Sequence, residues 1–214
     1  LLYKFTDKDT YWTPSGWMNG VLGVDGTKGY LVTPADEKYV GEQLDVIEKL
    51  WFSSYSDDFL KEFLPVKIML CSEIDSVYVT WDFSVTPVQM KYLSQEVQSW
   101  YNYDNICVSY GNIVVTQMTK EDSLAFRSSI SRTFIESMIG RGKTAPTTEF
   151  GESANYDISS SDMYTASKLW AAGIPQLVNS AISEDNDWKT FMMMMVLCPE
   201  EFLTRVPEYN SDWD

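Results

Sequence analysis

Lys120 to Ile139 carries the pattern that most restricts the fold. Phe126, Ile130, Phe134 and Met138 fall four apart, and Leu124, Ile135 and Ile139 flank them. That spacing draws one apolar stripe along a long helix, which Gly140-Arg141-Gly142 ends. A stripe of this length needs a second layer to bury it. Val40, Leu44, Ile47 and Trp51 predict another amphipathic helix over Pro34–Trp51, with Asp36 and Glu37 suited to its positive end. Trp188 to Leu197 (WKTFMMMMVL) is apolar nearly all round and predicts a central buried helix, capped by Ser183 to Asp187. The methionine run could suggest a soft-metal site, but adaptable core filling is the simpler reading. Met163 to Ala172 predicts a shorter helix that stops at Gly173-Ile174-Pro175.

Strand signals fill the first half. Tyr30 to Thr33, Phe63 to Cys71 and Ser76 to Phe83 read as strands. Ile106 to Tyr110 and Ile113 to Gln117 read as two more, joined by a hairpin-like Gly111-Asn112. Thr86 to Trp100 carries a weaker helical pattern through Val88, Tyr92, Val97 and Trp100. Residues 143–162, rich in Ser, Thr, Gly and Asn, predict a long loop of the kind that often serves function. Helices mixed with strands place the chain in the α+β class, and its length suits one domain over 1–214.

The chain contains no histidine. Ser-His-Asp and Cys-His nucleophile systems therefore have no base, and the helical zinc-protease motif has no ligands. Acidic residues number 31 against 16 basic, a net charge of −15. This argues against nucleic acid as a partner and against adsorption to anionic lipid. Cys71, Cys107 and Cys198 are far apart, lack metal-ligand spacing and lie in apolar stretches, so buried inert thiols are expected. The acidic loop Ser183 to Asp187 lacks the glycine and terminal glutamate of a calcium loop. Gly140 to Thr144 follows a helix where a phosphate loop must follow a strand. No cofactor is expected. Tyr11, Trp12 and Trp17 sit in a polar, turn-rich segment (DTYWTPSGWMNG) and are candidates for stacking on a ligand, although capping one end of the core is the plainer role. The chain opens mid-pattern on LLYKF, from which an N-terminal segment is inferred to have been cleaved or left out, a start compatible with a secreted or lipid-anchored protein.

Tyr30-Leu31-Val32-Thr33-Pro34, the following DVIEKLWFSSYSDDFLKEFLP, the Gly173-Ile174 turn and the acidic-aromatic stretch Asp185 to Phe191 resemble the zinc-binding metallopeptidase lipoproteins of Bacteroidetes, also called substrate-import-associated zinc metallohydrolase lipoproteins. The resemblance covers most of the chain in element order. It implies a zincin-like fold with a mixed sheet and a central long helix, and an exported protein lipid-anchored at the outer membrane through the missing N-terminus. It also implies a nutrient-import setting beside importer components, with a glycan or peptide as ligand. The family's His-Glu-x-x-His helix falls on SRTFIESMIG. Anchored on Phe134, Arg132 stands at the first ligand, Thr133 at the catalytic glutamate and Glu136 at the second ligand; Thr190 falls where the family tends to carry an acid. Every chemical position departs from the pattern. Zinc hydrolysis needs about three protein ligands and a carboxylate base. Arg132 and Glu136, four apart, are better read as an ion pair. The expectation is thus a pseudo-metallopeptidase that binds without catalysis, in a cleft near Arg132, Thr133, Glu136 and Thr190. The alternative is a carboxylate-dependent hydrolase acting in the same cleft.

Overall fold

A computed structural model describes residues 29–101, 104–159, 162, 166–175 and 182–204. Tyr11, Trp12 and Trp17 lie outside them. The fold is α+β with a mixed sheet. The chain gathers into two compact units, one ending at Ser137 and one starting at Met138.

In the first unit, β1 (Gly29–Pro34) leads through a short 3-10 turn into α1 (Val40–Leu50) and then α2 (Asp57–Phe63). α1 begins later than Pro34 because the Asp36 carboxylate accepts the Lys38 N–H at 3.0 Å and caps the 3-10 turn instead. Ser56 caps α2 in the same way, accepting from the Phe59 N–H. β2 (Lys67–Asp82) is a single strand of 16 residues where the sequence suggests two. Its polar middle, Ser72 to Asp75, is held in extended form by pairing with β1, Ile74 lying opposite Val32.

Residues 86–100 are not a helix. They form β3 (Gln89–Glu96), antiparallel to β2, and β4 (Ser99–Tyr101), antiparallel to β5 (Asn105–Val108). Pairing with β2 over the whole of β3 satisfies backbone groups that a weak helical period could not hold alone. β5 runs parallel to the start of β2, and the sheet order is β1-β2-β5-β4, with β3 also on β2. Residues 113–117 likewise form no strand. The Asn112 side chain accepts the Val114 N–H at 2.9 Å and turns them into a 3-10 segment with only Val115 buried. Between them, Tyr110 adopts a left-handed backbone (φ 72) and Gly111 passes close to its neighbours. A Cβ on Gly111 would strike Ala35 and sit 2.8 Å from the Cys71 carbonyl, so only glycine fits.

α3 (Lys120–Gly140) is the long helix the apolar stripe predicts, and the unit boundary falls inside it. Its Phe126, Ile130 and Phe134 are fully buried, and Ser131, Thr133, Ile135 and Ser137 are buried as well. The helix is therefore covered well beyond one face. Phe134 meets Trp51 and Tyr55 edge to face, at ring separations of 5.4 and 5.3 Å, and Phe59 stacks on Tyr55 at 5.2 Å. Burial pushes the Tyr55 phenol up to about 12. A second cluster joins Met69, Cys71, Ile74 and Cys107, with Tyr30, Val32, Val97 and Trp100 packed on it. Cys71 and Cys107 are buried thiols, as expected, whereas Cys198 is only part-buried. The Cys71 thiol beside it, and then burial, hold the Cys107 thiol well above its ordinary range.

The second unit contains α4 (Thr148–Glu152), α5 (Ala166–Ala171), α6 (Glu184–Leu197) and α7 (Glu200–Thr204). α4 interrupts the loop expected over 143–162. Leu169 and Ile174 form its small core, with Tyr156, Ile158 and Ile182 against them. α5 stops because Gly173 turns left-handed (φ 86); a Cβ there would lie 2.9 Å from the Ser153 carbonyl. Ser183 caps α6 as predicted, accepting the Asn186 N–H at 3.3 Å. α6 is not the central buried helix its composition suggests. Asp187 is its one buried residue, and Phe191 and Met195 are 39% and 55% exposed. Its apolar face lines a groove formed by the described residues.

Candidate functional site

Arg132, Thr133 and Glu136 lie on one stretch of α3. Arg132 Nε donates to Glu136 Oε1 at 3.1 Å, the ion pair that i,i+4 spacing predicts. Thr133 points inward: its hydroxyl lies 2.7 Å from Ser99 Oγ, which lies 2.9 Å from Ser129 Oγ. These hydroxyls tie α3 to β4. Near Glu136 stand Tyr30 and Tyr101. Burial raises both phenols, Ser76 holds Tyr30 back in part, and the Glu136 carboxylate pushes both further up. Tyr30 stacks on Trp100 with ring centroids 4.6 Å apart, so each ring covers a face the other could have offered a ligand.

This arrangement does not fit zinc. Where the resemblance would put a proton-accepting glutamate stands a buried threonine engaged with serine, and where it would put metal ligands stands a guanidinium bonded to a carboxylate. No metal-holding group of Cys, Asp or Glu forms among the described residues. Thr190 belongs to α6 in the second unit, where its hydroxyl donates to the Asn186 carbonyl at 2.9 Å.

A concavity that no motif signalled lies elsewhere. In the second unit a groove of about 630 Å³ is walled by Phe150, Trp170, Ile174, Phe191, Met195 and Phe202, with Met194, Leu203 and Asp187 also lining it. That volume lies within the range of small-ligand sites, roughly 300–1,000 Å³. Each wall has a local cause. Thr147 caps α4 and holds Phe150 beside Trp188 and Phe191, at ring separations of 4.9 and 5.4 Å. Gly173 turns the chain so that Ile174 and Pro175 face the groove. α6 supplies Phe191, Met194 and Met195 at helical spacing.

Asp187 is the polar point of this surface. It is 3% exposed, and its Oδ2 accepts the Tyr156 phenol at 2.8 Å. Its Oδ1 is enclosed and has no hydrogen-bond partner among the described residues. Burial raises the Asp187 carboxyl above its usual value, and the Tyr156 hydroxyl draws it partly back. Burial and then the Asp187 hydrogen bond raise the Tyr156 phenol strongly. None of the described lining residues is basic. The signal in the sequence was the run after Ser183, legible as a cap but not as a site. Aspartate in the first turn of a helix is ordinarily a solvated helix-end charge.

No protein-family model, curated protein or solved structure matches this chain.

Proposed function

We propose that this chain is a binding protein without hydrolytic activity, and that it takes its ligand in the apolar groove of the second unit. The observation that carries the reading is the combination of apolar walls with one buried, half-satisfied carboxylate at Asp187. Ligand sites are built this way, from mostly apolar surface and a few placed polar groups. The Arg132–Glu136 pair and the buried Thr133 support the non-catalytic part. The resemblance to the zinc metallohydrolase lipoproteins supplies the setting: an envelope-anchored accessory to nutrient import. Of the two ligands it implies, an apolar peptide suits these walls better than a glycan, which needs open ring faces and many hydrogen-bonding partners. Carboxylate-based glycoside hydrolysis uses two acids flanking the bond. Asp187 is the one acid among the described groove residues.

Nile red, a neutral apolar dye, tests the reading. The protein should bind it saturably at one site per chain. Phe191→Ser and Met195→Ser, both at exposed lining positions, should weaken it at least several-fold. An absence of saturable binding, or binding indifferent to both substitutions, overturns the groove as the site.

A further inference from the structure

We infer that the groove selects ligands carrying a protonated amine, with Asp187 Oδ1 receiving the ammonium N–H; this rests on the groove being the ligand site. Asp187 is 3% exposed, yet one of its two carboxylate oxygens bonds nothing among the described residues. A buried carboxylate oxygen without a donor is costly, so a ligand that brings a donor to it gains from the bond. Tyr156 already occupies Oδ2, which leaves Oδ1 with a defined role.

Charge decides which donor. No lysine or arginine is among the described residues lining the groove, and Glu184 lies one turn before Asp187 on α6. The helix end that carries Asp187 favours negative charge there. A neutral hydroxyl would satisfy the oxygen, but an ammonium also neutralises the charge, and charge-assisted bonds are about twice as strong. The walls point the same way. Phe150, Trp170, Phe191 and Phe202 offer aromatic rings, which attract cations through their faces, and Met194 and Met195 offer soft, polarizable sulfur. The ligand class is therefore an apolar body bearing a primary ammonium. Both a simple arylalkylamine and the free amino terminus of an apolar peptide present it.

The test compares 4-phenylbutylamine with its neutral counterpart 4-phenyl-1-butanol, by calorimetry and by Trp170-sensitive fluorescence at physiological salt. The amine should bind the wild-type chain about tenfold or more tightly than the alcohol. Asp187→Asn should abolish that preference. Asp185→Asn, at an exposed neighbour, removes the same net charge and should keep the preference, separating the groove carboxylate from the general acidity of the chain. Met195→Lys, at an exposed position on the groove, provides a variant independent of the buried acid and should weaken the amine selectively. Leu-Phe-amide against N-acetyl-Leu-Phe-amide distinguishes the sources: a preference for the free amino terminus supports the inference with a peptide as source, and a preference confined to the amine–alcohol pair supports it with a small amine. Equal affinity of amine and alcohol for the wild type, or a preference that survives Asp187→Asn, overturns the inference and leaves the groove reading standing. Binding of neither probe, nor of Nile red, overturns the groove reading and the inference together.

Discussion

Replacing Gln43 by methionine removes one side-chain amide from the first unit and almost nothing else. Gln43 is 1% exposed on α1, and its Nε2 donates toward the carbonyls of Ser109 at 2.8 Å, Val108 at 3.0 Å and Cys71 at 3.2 Å. One amide thus fastens α1 to β2 and to the end of β5. Its protons are shared among these acceptors. The Cys71 carbonyl also accepts the Gly111 N–H at 2.8 Å, so it keeps a partner in the variant. The Val108 and Ser109 bonds are the ones that count, at a net ~0.5–1.5 kcal/mol each plus the penalty of an orphaned buried acceptor. Against this, Gln43 Oε1 has no partner, and removing it gives something back. Methionine has similar volume, so the cavity contribution is small. The expected loss is about 2–3 kcal/mol, a large share of a typical domain's ~5–15 kcal/mol. Urea unfolding followed by far-UV circular dichroism measures it, and the midpoint should fall with an unchanged slope. A loss below about 0.5 kcal/mol, the size of an ordinary surface change, would refute the reasoning. Gln43→Glu sharpens it. A carboxylate facing these carbonyls can bond only when protonated, so its folded pKa rises above the unfolded value. Stability present at low pH is then lost as pH rises through the folded pKa. Gln43→Glu should be more damaged at pH 8 than at pH 5.5, and the reverse order would exclude this geometry.

Phe134→Ala should cost about 3–5 kcal/mol, because the ring contacts of Trp51, Tyr55 and Phe59 all converge on Phe134; thermal or urea unfolding reads it. Gly173→Ala should cost about 1–3 kcal/mol, since the backbone is left-handed (φ 86) and the new Cβ would crowd the Ser153 carbonyl; it should also lower Nile red affinity, because Gly173 lines the groove. Asp187→Asn should raise the melting temperature at pH 7.5. Burial raises the Asp187 carboxyl and the Tyr156 hydroxyl draws it only partly back, so its contribution to stability is present below the unfolded value and lost as pH rises through the folded one. The gain should shrink as pH falls toward 5, at about 1.4 kcal/mol for each unit by which the carboxyl is raised, and a variant less stable than wild type at pH 7.5 would contradict it.

Sequence alone determined the elements whose information is local. The stripe through Phe126, Ile130 and Phe134 specifies α3, because its residues meet one layer at one helical period. Ser183 predicts the start of α6 and Gly173 the end of α5, because a cap or a left-handed turn involves only nearby backbone. The Arg132–Glu136 ion pair was legible for the same reason, both partners riding one helix. Tertiary structure decided the rest. Residues 86–100 hold a weak helical period, yet they are strands because β2 and β5 present unpaired edges to them. Residues 113–117 are apolar enough for a strand but find no strand partner among the described residues. The candidate site is of this second kind. Asp187 is buried because Tyr156, 31 residues earlier, reaches it, and because Phe150, Trp170 and Ile174 converge on the open face of α6. Helical period records which residues share a face of α6. Whether that face is covered, or left as the wall of a groove, depends on segments distant in the chain.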